Sequence, residues 1–199
     1  MKFKNAPKES SELIYEGISL FKKNKFKNAL SVFDKVLKIN PGSMIALSHK
    51  VASLYELARF DEALKCCDQV LQKDPQYLHT LFYKGLVLGK MGEHEKAIGF
   101  FDKVLQTDRK HVLALYNRGV QLCKISKYED AVKFFEKTLE ADPENSDAMY
   151  EAGRALAKLG KNNESLLWFD RAIKADEKKS MSYYNEGVDL TKASNHQQA

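Results

Sequence analysis

Phe33-Asp34-Lys35-Val36-Leu37 and Phe101-Asp102-Lys103-Val104-Leu105 are identical and lie 68 residues apart, twice 34, with Cys67-Asp68-Gln69-Val70-Leu71 halfway between them. No other feature restricts the fold as strongly. A period of this length means one supersecondary unit per repeat, each unable to bury its apolar faces except against its neighbours. Counted from Ser10, the period divides the chain into 10–43, 44–77, 78–111, 112–145 and 146–179. Residues 1–9 form an N-terminal extension and 180–199 a partial sixth unit or capping helix, the whole reading as one solenoid domain.

The recurring positions are those a helix pair needs. Position 11 is Leu20, Leu54, Leu88, Leu122, Leu156 and Leu190, and position 4 is Leu13, Leu47, Leu81, Leu115, Met149 and Tyr183. Residues seven apart share one face of a helix, so these form the buried seam of a first helix. Position 8 is Gly17, Gly85, Gly119, Gly153 and Gly187, while position 20 is Ala29, Ala63, Ala97, Ala131 and Ala199. Glycine inside a helix costs about 0.5–1 kcal/mol relative to alanine, so its recurrence requires a close approach of the paired helix. The second helix carries apolar residues at helical spacing, as in Ala131, Val132, Phe135 and Leu139. It ends at Asn40-Pro41, Asp74-Pro75 or Asp142-Pro143, where proline cannot continue a helix.

This pattern resembles the tetratricopeptide repeat over about 190 of the 199 residues. Tyr128-Glu129-Asp130-Ala131-Val132-Lys133-Phe134-Phe135 is a close instance. Departures are local: Val51 replaces the small eighth residue, Cys67 the large aromatic, Ser165 the alanine, and Arg109 and Glu177 the proline. The resemblance implies an all-α, right-handed α-solenoid of antiparallel helix pairs, with the first helices lining a concave face.

Composition excludes several functions. The net charge of +5 rules out a strongly polybasic tail. Nine of the lysines lie in residues 1–43 against four acids, including Lys22-Lys23-Asn24-Lys25-Phe26-Lys27. No stretch approaches the roughly 18 apolar residues of a membrane span, and Met1 to Ser10 has no apolar signal-peptide core. With thinly spread Cys66, Cys67 and Cys123, a cytoplasmic chain with reduced thiols is expected. His49, His79, His94, His111 and His196 occupy unrelated positions, and Gly85, Gly89 and Gly92 lack the strand and spacing of a phosphate loop. No catalytic residue, metal site or cofactor is expected, and the chain is read as a binding module rather than an enzyme. His49 and His79 fall at positions that adjacent first helices bring together, as two imidazoles without a third ligand.

The resemblance places positions 2, 5, 6, 9, 12 and 13 of the first helix on the groove. The residues expected to line it are Ile14, Tyr15, His49, His79, Phe82, Tyr83, Leu86, Lys90, Tyr116, Asn117, Val120 and Lys124, continuing through Asp147, Tyr150, Glu151, Arg154, Lys158, Tyr184 and Asn185. They read as an aromatic band beside a lysine edge, Lys22, Lys90, Lys124, Lys158 and Lys192, which Glu56 interrupts. A partner segment, extended or helical, would set apolar side chains on Phe82, Tyr83, Tyr116 and Tyr150 and acidic ones on the lysines. A basic residue would be preferred near Asp147 and Glu151.

A clamp for a chaperone tail's carboxylate is not expected. The positions it needs read Phe82, Leu86, Asn117, Asp147 and Glu151, with acids where cations are required. The competing reading is self-assembly into a dimer through Tyr183, Tyr184, Val188 and Leu190. A third is RNA or phosphate contact at Lys22 to Lys27, with Phe26 as its lone stacking residue, so nucleic acid is not the expected partner.

Overall fold

The computed structural model describes residues 6–176, 179, 181, 183–185, 188 and 189, with side chains described from Ser10 onward. It divides into two compact units, Met1–Glu93 and His94–Ala199. The first holds α1 (Ala6–Lys22), α2 (Phe26–Ile39), α3 (Met44–Glu56), α4 (Phe60–Lys73) and α5 (Leu78–Lys90). The second holds α6 (His94–Thr107), α7 (Val112–Lys124), α8 (Tyr128–Ala141), α9 (Ser146–Lys158) and α10 (Asn162–Ala175). There is no strand among the described residues. Within each unit, consecutive helices pack on one another.

The register of 34 is kept closely. First helices α3, α5, α7 and α9 span positions 1–13, and all second helices span positions 17–30. Only α1 differs, beginning at Ala6 inside the segment read as an extension. Pro7 is tolerated there because the first turn of a helix needs no N–H from it.

Position 15 turns each first helix into its second with positive φ: Asn24 (57°), Ala58 (55°), Gly92 (83°), Ser126 (60°) and Gly160 (73°). The second helices stop at position 31. Asn40, Asp74 and Asp108 each accept the N–H two residues on, from Gly42, Gln76 and Lys110 at 3.0–3.1 Å. This side-chain turn explains why Arg109 can replace proline, because the Asp before it supplies the stop.

The helix crossings explain the recurring glycines. A Cβ added at Gly17 would lie 2.6 Å from Phe33 Cε1, at Gly119 2.7 Å from Phe135 Cε1, and at Gly153 2.8 Å from Phe169 Cε1. Each ring fills the space a side chain would need. In the second repeat the sizes are exchanged, with Val51 on α3 and Cys67 on α4 fully buried in one cluster. Ser165 keeps the small-residue crossing by donating its hydroxyl to the Gly153 carbonyl at 2.8 Å.

One recurrence is electrostatic. Lys50–Asp34, Lys84–Asp68 and Arg118–Asp102 all pair position 7 with position 25 of the preceding repeat, each at 2.6 Å. Arg118 adds a second bond to Asp102 at 3.3 Å and lies 3.9 Å from the Phe134 ring centre. The next step has Ala152 and Glu136 in these positions, so the ladder ends.

Candidate functional site

In the first unit, rings on α2, α3, α4 and α5 form a continuous series. Phe33 stacks on His49 at 5.5 Å, His49 lies 5.2 Å from His79, and His79 lies 4.8 Å from Tyr83. Tyr83 meets Tyr55 edge-on at 5.8 Å, and Tyr55 lies 6.2 Å from Phe60. Burial holds both imidazoles below their ordinary value, His79 at about 4, so both are neutral at pH 7. His79 Nδ1 is buried without a hydrogen-bond partner among the described residues. Burial pushes the Tyr83 phenol up to about 12, helped by the charge of Glu56. Glu56 itself is exposed at the end of α3.

Phe82 corrects the groove expectation, whereas Ile14 is half-buried. Phe82 is buried, and Ile14 packs against the cluster around Phe33 and Val36. Tyr15 is 74% exposed, Leu86 is half-buried and Lys90 is exposed. The position-2 residues Ile45, Leu113 and Met181 are 49%, 54% and 70% exposed. Their slot belongs to the groove set, yet the sequence reading passed over them because it followed the aromatics.

In the second unit a cleft of about 170 Å³ opens on α7 and α9, lined by Val120, Cys123, Lys124, Tyr128, Glu151, Arg154, Ala155 and Lys158. Five of these were expected from the sequence: Val120, Lys124, Glu151, Arg154 and Lys158. Arg154 holds Glu151 at 3.0 Å, whereas no carboxylate among the described residues pairs with exposed Lys124 or Lys158. Cys123 is not an activated nucleophile, since burial pushes its thiol up to about 11. Tyr116 is half-buried, 6.0 Å from Phe135, and burial raises its phenol. Asn117 donates to the Leu113 carbonyl of its own helix at 2.8 Å.

Tyr150 and Tyr183 also leave the expected surface. They stack at 4.6 Å, and both are buried. Tyr183 donates to Asp147 at 2.8 Å, and Lys179 pairs with the same carboxylate at 2.9 Å. Asp147 and Glu151 therefore each hold a cation of this chain. Tyr183 is packing, not a self-association surface. Tyr184 and Asn185 are exposed, Val188 is half-buried, and Leu190 lies outside the described residues.

The family model described as Psidin, N-terminal TPR repeats region, matches residues 49–166, and a tetratricopeptide repeat model matches residues 15–77. The chain belongs to the tetratricopeptide repeat family. Its architecture is accordingly an all-α solenoid of helix pairs. Solved structures agree at the level of fold. MamA has a TM-score of 0.72 at 21% identity, covering 83% of this chain and 96% of that one. YrrB, described as a TPR protein with an unusual peptide-binding site, has a TM-score of 0.71 at 20% identity over 94% and 98%. A tetratricopeptide repeat protein from Parabacteroides merdae has a TM-score of 0.77 at 20% identity over 96% and 76%. No curated protein sequence matches the chain.

Among the described residues, no cluster of three or more His, Cys, Asp or Glu side chains could hold a metal ion. No described helix is long and apolar enough to cross a membrane.

Proposed function

We propose that the chain is a non-enzymatic cytoplasmic scaffold that holds a segment of a partner protein against its first helices. The observation that carries this reading is the cleft on α7 and α9, where groove positions of two adjacent repeats converge with unpaired Lys124 and Lys158. The peptide-binding site for which YrrB is described supports the same reading by analogy of fold. The cleft suits one acidic side chain of the segment, with Val120 and Ala155 covering its aliphatic part. Affinity is set by burial around Tyr116 and Val120, with the lysines choosing among partners.

Selection of binders from a displayed random-peptide library, using the whole chain as bait, tests this. Acidic residues should be enriched, and Lys124→Glu with Lys158→Glu should weaken the selected peptides by about ten-fold or more. Circular dichroism should show an unchanged helix content. Equal binding by the double variant would remove the cleft from the reading.

A second reading, self-association, draws on Met181 and Tyr184, which are 70% and 58% exposed near one another in sequence. Sedimentation mass that rises with concentration, and ceases to rise in Tyr184→Glu, would support it. A concentration-independent mass would count against it.

A further inference from the structure

The turn that closes the third repeat differs from three others. Asp108-Arg109-Lys110 stands where the first, second and fourth repeats carry Asn40-Pro41-Gly42, Asp74-Pro75-Gln76 and Asp142-Pro143-Glu144. Asp108 already supplies the stop by accepting the Lys110 N–H, so the turn itself does not require two basic residues. Both line a cavity of about 730 Å³ in the second unit. The space has a plain origin. Helices α6 and α8 both pack on α7 but not on each other, whereas the first helices α7 and α9 do pack together, so the stack opens between its second helices. Leu105 of α6, Leu115 of α7, and Phe134 and Ala141 of α8 give the cavity an apolar lining, with Leu115 buried and the other three half-buried.

Charge around this lining is unbalanced. Arg109, Lys110 and Lys137 are exposed on it, and among the described residues no carboxylate pairs with any of them. Lys137 lies over the Phe134 ring, 4.8 Å from its centre. Of the two acids in the wall, Asp102 is taken by Arg118 at 2.6 Å, which leaves Glu140 against three cations. We propose that this cavity docks a segment of a partner protein in which an apolar side chain is flanked by acidic residues. The apolar side chain enters between α6 and α8 onto Leu105 and Leu115. Its acidic neighbours meet Arg109 and Lys110, where the guanidinium can hold a carboxylate by two parallel bonds. The volume lies within the roughly 300–1,000 Å³ typical of ligand clefts and has room for several side chains. A free inorganic anion would leave the apolar lining uncovered, and a basic segment would meet three like charges. The cavity shares no lining residue with the cleft on α7 and α9, so this inference goes beyond that reading and does not depend on it.

The test is a titration of the whole chain, read from backbone amide resonances by NMR, with a synthetic peptide of paired leucines between paired glutamates. The same peptide with lysines in place of the glutamates, and inorganic phosphate, are titrated separately. The glutamate peptide should shift the amides of Gln106, Lys110 and Ala141 saturably, and neither of the other probes should match it. Arg109→Pro with Lys110→Glu rebuilds the turn of the fourth repeat, so this variant should fold. Its affinity for the glutamate peptide, read from Gln106 and Ala141, should fall by about ten-fold or more. Lys124→Glu with Lys158→Glu should leave the same shifts unchanged, which separates this cavity from the cleft on α7 and α9. Shifts confined to Lys124 and Lys158, equal shifts with the lysine peptide or with phosphate, or undiminished affinity in the turn variant would each overturn the proposal.

Discussion

A methyl group added to Gly119 would lie 2.7 Å from Cε1 of Phe135, a ring that is itself fully buried at the crossing of α7 and α8. Neither partner has room to yield. Gly119→Ala should therefore destabilise the protein by about 1–3 kcal/mol through overpacking, despite alanine's better helix propensity of about 1 kcal/mol. Gly99, in α6, has no atom within 4 Å of its added Cβ, so Gly99→Ala should stabilise by about 0.5–1 kcal/mol. Urea unfolding of the two variants should give midpoint shifts of opposite sign.

The second repeat makes the same crossing with its sizes reversed, Val51 on α3 and Cys67 on α4. Val51→Gly alone should destabilise by opening space and freeing the backbone, and Cys67→Phe alone by forcing a ring against the valine. Together they recreate the arrangement of Gly119 and Phe135. A double-mutant cycle should show a favourable coupling of about 1–3 kcal/mol, and additive losses would mean that the two residues are not complementary.

Ala58 occupies the left-handed turn at φ 55°, where a Cβ is strained and where Gly92 and Gly160 stand in other repeats. Relief of that strain outweighs the greater entropy of an unfolded glycine. Ala58→Gly should raise stability by about 0.5–1 kcal/mol, measured as a higher urea midpoint with an unchanged slope.

The periodicity of Leu20, Gly17 and Ala29 made the helix pairs legible because these positions obey local geometry repeated along the chain. The left-handed turns were equally regular in place, but Asn24, Ala58 and Ser126 hid them behind three different residue types. Tyr183 was misread for another reason. Its partners, Tyr150 and Asp147, lie more than thirty residues away in the preceding repeat, and an aromatic that stacks there looks the same in sequence as one that faces solvent. Asp147 likewise reads as an available acid until Lys179 and Tyr183 are placed on it. The cleft residues were recoverable because Lys124, Arg154 and Lys158 have positions fixed by helical register alone.

His79 makes the stability of the first unit depend on pH. Burial, with a smaller contribution from neighbouring His49, holds its imidazole at about 4 in the folded chain, against 6.5 for an imidazole in water. Below pH 6.5 the unfolded chain takes up a proton that the folded chain refuses, so acid favours unfolding. The stabilisation is fully present above pH 6.5 and is lost progressively as pH falls toward 4. At pH 4.5 the loss from this one group is on the order of 2–3 kcal/mol. His79→Phe keeps a ring beside Tyr83, removes the proton and removes the unpartnered Nδ1, so it should flatten this dependence and gain stability at pH 7 as well. Urea midpoints of the two proteins at pH 7 and 4.5 check both expectations. An equal fall in wild type and variant would assign the acid sensitivity to carboxylates such as Asp147, whose low value is set by Lys179 and Tyr183 against the opposing effect of burial.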